Sequence, residues 1–239
     1  MSNIYTEKLL APAAAMEMAG RADWTNVDTK MEAIVNDLIM RSAAFPRFLR
    51  IDAAAVAAAD TDGLVTAVVS DAVNAEVIEL NVNFPWPRNI TATAAAVPST
   101  GTVQDIKAIR VKVEGLNIDG EAIVEDLPAF TVNAAGTVQG LLAFKKVTKI
   151  TIPIHDGTGA QTEVGFGNKL GLPDMLEANT VFAAYLNNVK EANAPTVVVD
   201  DNEVEKNTVL LNSNLNGTEV GILYFVLPTT EWLQWLRGY

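Results

Sequence analysis

The sequence predicts a mainly β protein, a β-sandwich or jelly-roll-like domain with an N-terminal arm and one short helix. Three observations predict it. Past residue 50 the chain breaks into short aliphatic and β-branched runs at intervals of roughly ten residues, with Gly, Pro, Asn and Asp between them. Several runs alternate apolar and polar side chains, the period of a strand with one wet face. No segment repeats at a fixed spacing, which sets solenoids and propellers aside.

The elements follow in chain order. Residues 1–50 form the expected arm, methionine-rich and with few β-branched clusters. Its first twenty or so residues have no period and read as an extended end. Between Thr29 and Ser42, Met31, Ile34, Val35, Leu38 and Ile39 recur at helical spacing as one apolar stripe. Asp28 or Thr29 can cap that helix, and Pro46 bars it from running past Phe45.

Residues 51–228 form the expected sandwich. Its strands are read at Leu64–Val69, at Glu76–Phe84, which stops at Pro85-Trp86-Pro87, and at Asn89–Val97. Ile106–Val113 and Glu121–Leu127 follow, joined through an Asp119-Gly120 hairpin signal. Phe144–Ile154 is interrupted by Pro153, so its end belongs to an edge or a bulge. Thr162–Phe166, Val181–Leu186, Thr196–Val199, Thr208–Leu211 and Val220–Leu227 complete the set. Residues 229–239 form a tail that Thr229 or Thr230 can cap as a short helix. There Trp232 and Trp235 share a face, either in the core or against another subunit. Met31, Leu38, Trp232 and Trp235 are the residues expected at an interface.

Composition bounds the chemistry. At 239 residues the chain can bury a core without staples, and its lack of cysteine removes disulfides, thiolate metal sites and cysteine nucleophiles together. A net charge of −12, from 17 basic and 29 acidic residues, opposes nucleic-acid binding and docking on anionic membranes. No apolar run reaches the roughly 18–20 residues of a membrane-spanning helix. The Ala-rich N-terminus carries Glu7 and Lys8 before a short apolar stretch, so no secretory leader is expected.

The candidate chemical constellations are thin. The single histidine, His155, lies at a strand end beside Pro153 and Asp156 and is expected to face a turn. It has no second histidine or cysteine to share a zinc ion, and no G-x-S-x-G elbow accompanies it. Gly157, Gly159, Gly165 and Gly167 lack the order of a phosphate-binding loop and are read as a hairpin turn and a bulge. Asp200, Asp201, Glu203 and Glu205 lack EF-hand spacing and are read as a solvated loop. Paired carboxylates acting on a sugar depend on three-dimensional spacing that a sequence does not carry, and aromatics, the usual sugar platforms, make up 7% of the chain. No catalytic residue, metal or cofactor is therefore expected, and the chain is read as a structural or binding protein rather than an enzyme.

Four segments in a fixed order carry a resemblance. They are PRNITATA (Pro87–Ala94), VKVEGLNIDGEAIVEDL (Val111–Leu127), LAFKKVTKITIP (Leu142–Pro153) and DGTGAQTEVGFGNKLGLP (Asp156–Pro173). Together with NGTEVGILYFV (Asn216–Val226), this order resembles the head decoration, or cement, proteins of tailed bacteriophages. The chain departs from that pattern at Glu114-Gly115-Leu116 and in the insertion-like PAFTVNAAGTVQGL. The resemblance implies a β-sandwich or jelly roll, often trimeric, that binds the major capsid protein on the outer surface of a virion assembled in the host cytoplasm. Its expected role is to bridge and stabilise capsid subunits, with the 1–50 arm ordering on a neighbour. Two alternatives stay open: a collar, tail or fibre adaptor, and a carbohydrate-binding module or hydrolase.

Overall fold

A computed structural model describes residues 45–71 and 73–226. The expected helix at 29–42, the C-terminal tail and the interface candidates Met31, Leu38, Trp232 and Trp235 lie outside those residues. Pro46–Val226 form one compact unit. It is mainly β, with curled antiparallel sheets in a half-barrel, sandwich-like arrangement. Its helical content among the described residues is limited to short 3-10 turns such as Val103–Asp105 and Val204–Lys206.

Twelve strands are described: β1 (Phe45–Ile51), β2 (Asp60–Val69), β3 (Glu76–Ala96), β4 (Lys112–Leu116), β5 (Ala122–Asp126), β6 (Gly136–Ile152), β7 (Ala160–Gly171), β8 (Val181–Leu186), β9 (Val189–Lys190), β10 (Thr196–Val198), β11 (Thr208–Leu210) and β12 (Val220–Val226). The larger sheet runs β10-β11-β7-β3-β6-β4-β5, with β2 also paired to β7, and the smaller runs β1-β12-β8-β9. β1 straddles the expected boundary at residue 50.

β3 is the spine. It pairs antiparallel with β6 on one side and β7 on the other, and residues 87–92 are buried on both faces. Its 21 residues merge two strands that the sequence separates at Pro85-Trp86-Pro87. The chain passes through both prolines because they fall where β3 slips register against β6, between Asn83 and Arg88. No ladder N–H is required there, so proline loses nothing. Lys145 Nζ donates to Pro85 O at 2.7 Å, and Trp86 Nε1 donates to Gly171 O at 2.9 Å, which fixes the bulge from both sides.

Two other expectations change. Residues 106–111 are not a strand. Single bonds from Leu127 N–H to Val111 O and from Phe130 N–H to Ile109 O hold them, while Lys107 turns its N–H to His155. The alternation is still used, with Ile106, Val111 and Val113 buried. β6 begins at Gly136, inside the insertion-like segment, so the last six of its fourteen residues are strand. The Asp119-Gly120 signal does close the β4–β5 hairpin, with Asn117 Oδ1 accepting the Asp119 and Glu121 N–H groups. Gly157 takes a positive φ in the β6–β7 turn, and Gly165 and Gly167 lie at register slips within β7.

The curl of the larger sheet encloses one core around Ile90, Phe144, Val147, Ile150 and Val164. A second core, including Leu49, Ile51, Leu170, Val209, Ile222 and Tyr224, lies where the smaller sheet packs over β7 and β11. Each fully buried side chain of this size contributes roughly 1.5–3 kcal/mol against leaving it in water.

Candidate functional site

Polar residues from three of the four segments that carry the resemblance, Arg88, Asn89, Glu125 and Lys169, meet at one node. Arg88 is 2% exposed. Its Nε and Nη2 donate to Gly167 O, its Nη1 donates to Ala57 O at 2.9 Å, and its guanidinium lies 5.1 Å from the Phe166 ring centroid. Burial pulls its pKa down to about 10. Asn89, the next residue, accepts the Lys169 N–H at 3.0 Å, and Lys169 Nζ donates to Gly140 O at 3.0 Å. Glu125, on β5, accepts the Leu141 N–H at 2.6 Å. Burial raises the Glu125 pKa and lowers that of Lys169, each opposed in part by the charge of the other.

Acid and base groups with perturbed pKa values mark catalytic sites in many proteins. Here each is bonded to the backbone of a slipped strand. Residues 140–142 of β6 bulge against Ile90 of β3, and Glu125, Asn89 and Lys169 between them reach the peptide groups of that bulge. The hydrogen bonds of the node go to backbone groups.

His155 does not face a turn. It is 6% exposed and tilts against the Phe130 ring at 5.9 Å. Its Nδ1 accepts the Lys107 N–H at 3.1 Å, so the ring proton sits on Nε2, which lies 3.1 Å from Thr162 Oγ1. Burial, then the Lys107 charge, lowers its pKa. Ser70 Oγ meets the His155 backbone N–H rather than the ring, so among the described residues no serine pairs with the imidazole. The ring is buried because the 106–111 segment folds back over it instead of pairing as a strand.

The acidic run closes around Asn207, which is fully buried and bonds Leu176, Asp200 and Glu203. Asp200 accepts the N–H groups of Asn202 and Glu203, both at 2.9 Å. Among the described residues no group of three His, Asp or Glu side chains is arranged to hold a metal ion.

The outward face of the smaller sheet is different. Phe48, Phe182 and Phe225 are exposed, and Phe182 stacks on Phe225 with centroids 5.2 Å apart. Strand alternation places Phe48 and Arg50 on one side of β1, with Leu49 and Ile51 in the core on the other. Roughly 13 Å along β12 from Phe225, at 3.3 Å per residue, lies a cleft of about 170 Å³. Phe48, Arg50, Tyr185, Asn188, Glu219 and Gly221 line it.

Three local features build this cleft. Gly221 faces Tyr185 across the β12–β8 ladder, and a Cβ there would come within 2.8 Å of the Phe48 ring. Its absence lets Phe48 lie across the sheet, edge-on to Tyr185 at 6.2 Å. Asn187 and Asn188 both take positive φ in the two-residue β8–β9 turn, which sets Asn188 at the rim. Arg50 Nε and Nη2 both donate to one oxygen, Oε2, of Glu219. The sequence reading missed this cleft, although Asn187-Asn188 is a hairpin signal and Phe48-Leu49-Arg50-Ile51 alternates.

No family model, curated protein or solved structure matches the chain.

Proposed function

We propose that the protein is a non-enzymatic virion component that decorates the outer surface of a bacteriophage capsid and stabilises it by bridging copies of the major capsid protein. The observation that supports this most is the order of the segments between Pro87 and Pro173, combined with their place in the fold. All four contribute strands to the larger sheet, as β3, β4–β5, β6 and β7. Arg88, Asn89, Glu125 and Lys169 bond to the backbone of these strands in the buried node, which supports reading the segments as a rigid plate rather than a reaction centre.

The exposed Phe182–Phe225 pair gives the smaller sheet a contact surface, since clustered exposed aromatics mark protein–protein sites. The described chain enters through β1 and leaves through β12, neighbouring strands of the same smaller sheet. The assembly on the particle is a homo-oligomer, a trimer in this reading, and many copies on a repeating lattice multiply weak contacts.

The test is the copy number of the chain in purified virions, measured by quantitative mass spectrometry against the major capsid protein. A ratio of one per capsid subunit, or one per few, is the expected result. A few dozen copies per particle moves the protein to the collar, tail or fibre, and absence from the particle sinks both virion readings.

A further inference from the structure

We infer that the cleft between β1, β8 and β12 is a binding site for a neutral pyranose, the terminal sugar of a glycan. This goes beyond capsid decoration and does not depend on it.

The chemistry of the lining narrows the ligand class. Phe48 and Tyr185 supply an aromatic wall, and an aromatic ring has a negative face that attracts the C–H groups on one side of a sugar ring. Arg50 and Glu219 are the charged groups of the cleft, and they are paired with each other. Both Arg50 bonds go to Oε2. Among the described residues, Arg50 Nη1 and Glu219 Oε1 carry no other bond. A spare donor, on the side of the guanidinium away from the carboxylate, and a spare acceptor, Oε1, are therefore available at the two ends of one ion pair.

That arrangement fits a ring carrying several hydroxyls, one accepting from the guanidinium and another donating to the carboxylate. The pair sums to zero charge. An anion would meet the Glu219 carboxylate and a cation the Arg50 guanidinium, so neither sign is favoured over a neutral polyhydroxylated ring. Phosphate esters are opposed further by the net charge of −12. Asn188, at the rim, adds an amide that can both donate and accept.

Size points the same way. At about 170 Å³ the cleft is smaller than the roughly 300–1,000 Å³ of drug-sized ligand sites, and it takes one ring rather than an oligosaccharide. Binding to one copy is accordingly weak, in the millimolar range typical of so few contacts, and is useful where many copies are displayed together.

The experiment uses the full chain and saturation-transfer NMR, with the methyl glycosides of glucose, galactose, mannose and N-acetylglucosamine as probes and methyl glucuronide and inorganic phosphate as charged controls. At least one neutral glycoside is expected to receive saturation on its ring C–H protons at millimolar concentration. Arg50→Ala, at an exposed side chain, is expected to weaken that binding more than tenfold without changing the melting curve. Tyr185→Ala is expected to do the same, and Tyr185→Phe to keep binding, which separates loss of the ring from loss of the fold. Glu219→Gln leaves the guanidinium charge uncompensated, so its preference is expected to swing toward methyl glucuronide. Binding of none of the four neutral probes by the folded wild-type protein overturns the inference. So does binding that Arg50→Ala and Tyr185→Ala leave unchanged, or a wild-type preference for phosphate.

Discussion

The carboxylate of Glu125 accepts the backbone N–H of Leu141 at 2.6 Å, so that a side chain on β5 completes the hydrogen bonding of a bulge on β6. Leu142 N–H shares the same carboxylate at 3.4 Å. Bulges leave peptide groups without ladder partners, and buried peptide groups without partners are costly. Glu125 therefore stabilises the irregular stretch that lets the larger sheet curl.

Glu125→Ala is expected to destabilise the protein by about 2–3 kcal/mol, the typical cost of leaving buried donors unsatisfied. Glu125→Gln keeps an acceptor for Leu141 and removes the charge. The folded-state pKa of Glu125 is raised by burial, so its stabilising contribution is full below the unfolded value of 4.5 and is lost as pH rises through the folded value. The stability of Glu125→Gln relative to wild type should therefore increase as pH rises from 4 to 8. Urea titrations across that range check it, and a flat or falling difference contradicts it.

His155 works in the opposite direction. Its folded pKa is depressed, so its contribution is present above 6.5 and lost as pH falls through the folded value. Thermal melts of the wild type should drop more between pH 7 and pH 5 than those of His155→Gln. Equal drops would show that the ring is solvated and able to protonate freely in the folded state.

Arg88 is a buried guanidinium bonded to the carbonyls of Gly167 and Ala57. Lysine carries a point charge and cannot span both acceptors as the planar fork does. Arg88→Lys and Arg88→Ala are each expected to cost about 3 kcal/mol, the scale seen when a buried polar network loses a member. A loss below about 1 kcal/mol, within the range of ordinary surface substitutions, would mean that water enters the node.

Gly165 has β2 lying directly over it. A Cβ there would sit 1.9 Å from the carbonyl oxygen of Asp60, a backbone atom that cannot swing aside. Gly165→Ala should detach the start of β2 from β7, visible as faster amide exchange for residues near Asp60 while β3 and β6 keep their protection.

The stacked Phe182–Phe225 pair is exposed and contributes about 0.5–1.5 kcal/mol to the isolated protein. Replacing both with serine should lower the melting point only slightly. On the decoration reading it should also abolish association with capsids that lack the protein, measured by co-sedimentation. Undiminished association would remove this face from the contact.

The sequence made the β class legible through its alternation and turn residues, and the Asp119-Gly120 hairpin through a signal that local backbone sterics enforce. It misled where tertiary context overrode a local rule. Pro85 and Pro87 end strands in general, yet here they occupy a bulge. Ile106, Ile109, Val111 and Val113 alternate as strand residues, yet Lys107 turns its N–H to His155. The cleft was illegible for a different reason. Its parts come from residues 48–50, 185–188 and 219–221, ordinary in their own neighbourhoods, and only the order β1-β12-β8 brings them together.

The position of β3 also dictates a timetable. Its partners lie downstream, at Gly136–Ile152 and Ala160–Gly171. About 40 residues separate Ala96 from Gly136, which at roughly 5–20 residues per second is about 2–8 s of synthesis with the longest described strand bare on both edges. The β4–β5 hairpin closes early, because its loop is short, while the spine waits for distant pairing and closes slowly. Nascent chains arrested before Gly136 should therefore stay open to protease along β3, and this interval is when the protein is most exposed to chaperones and to misassembly with its own kind.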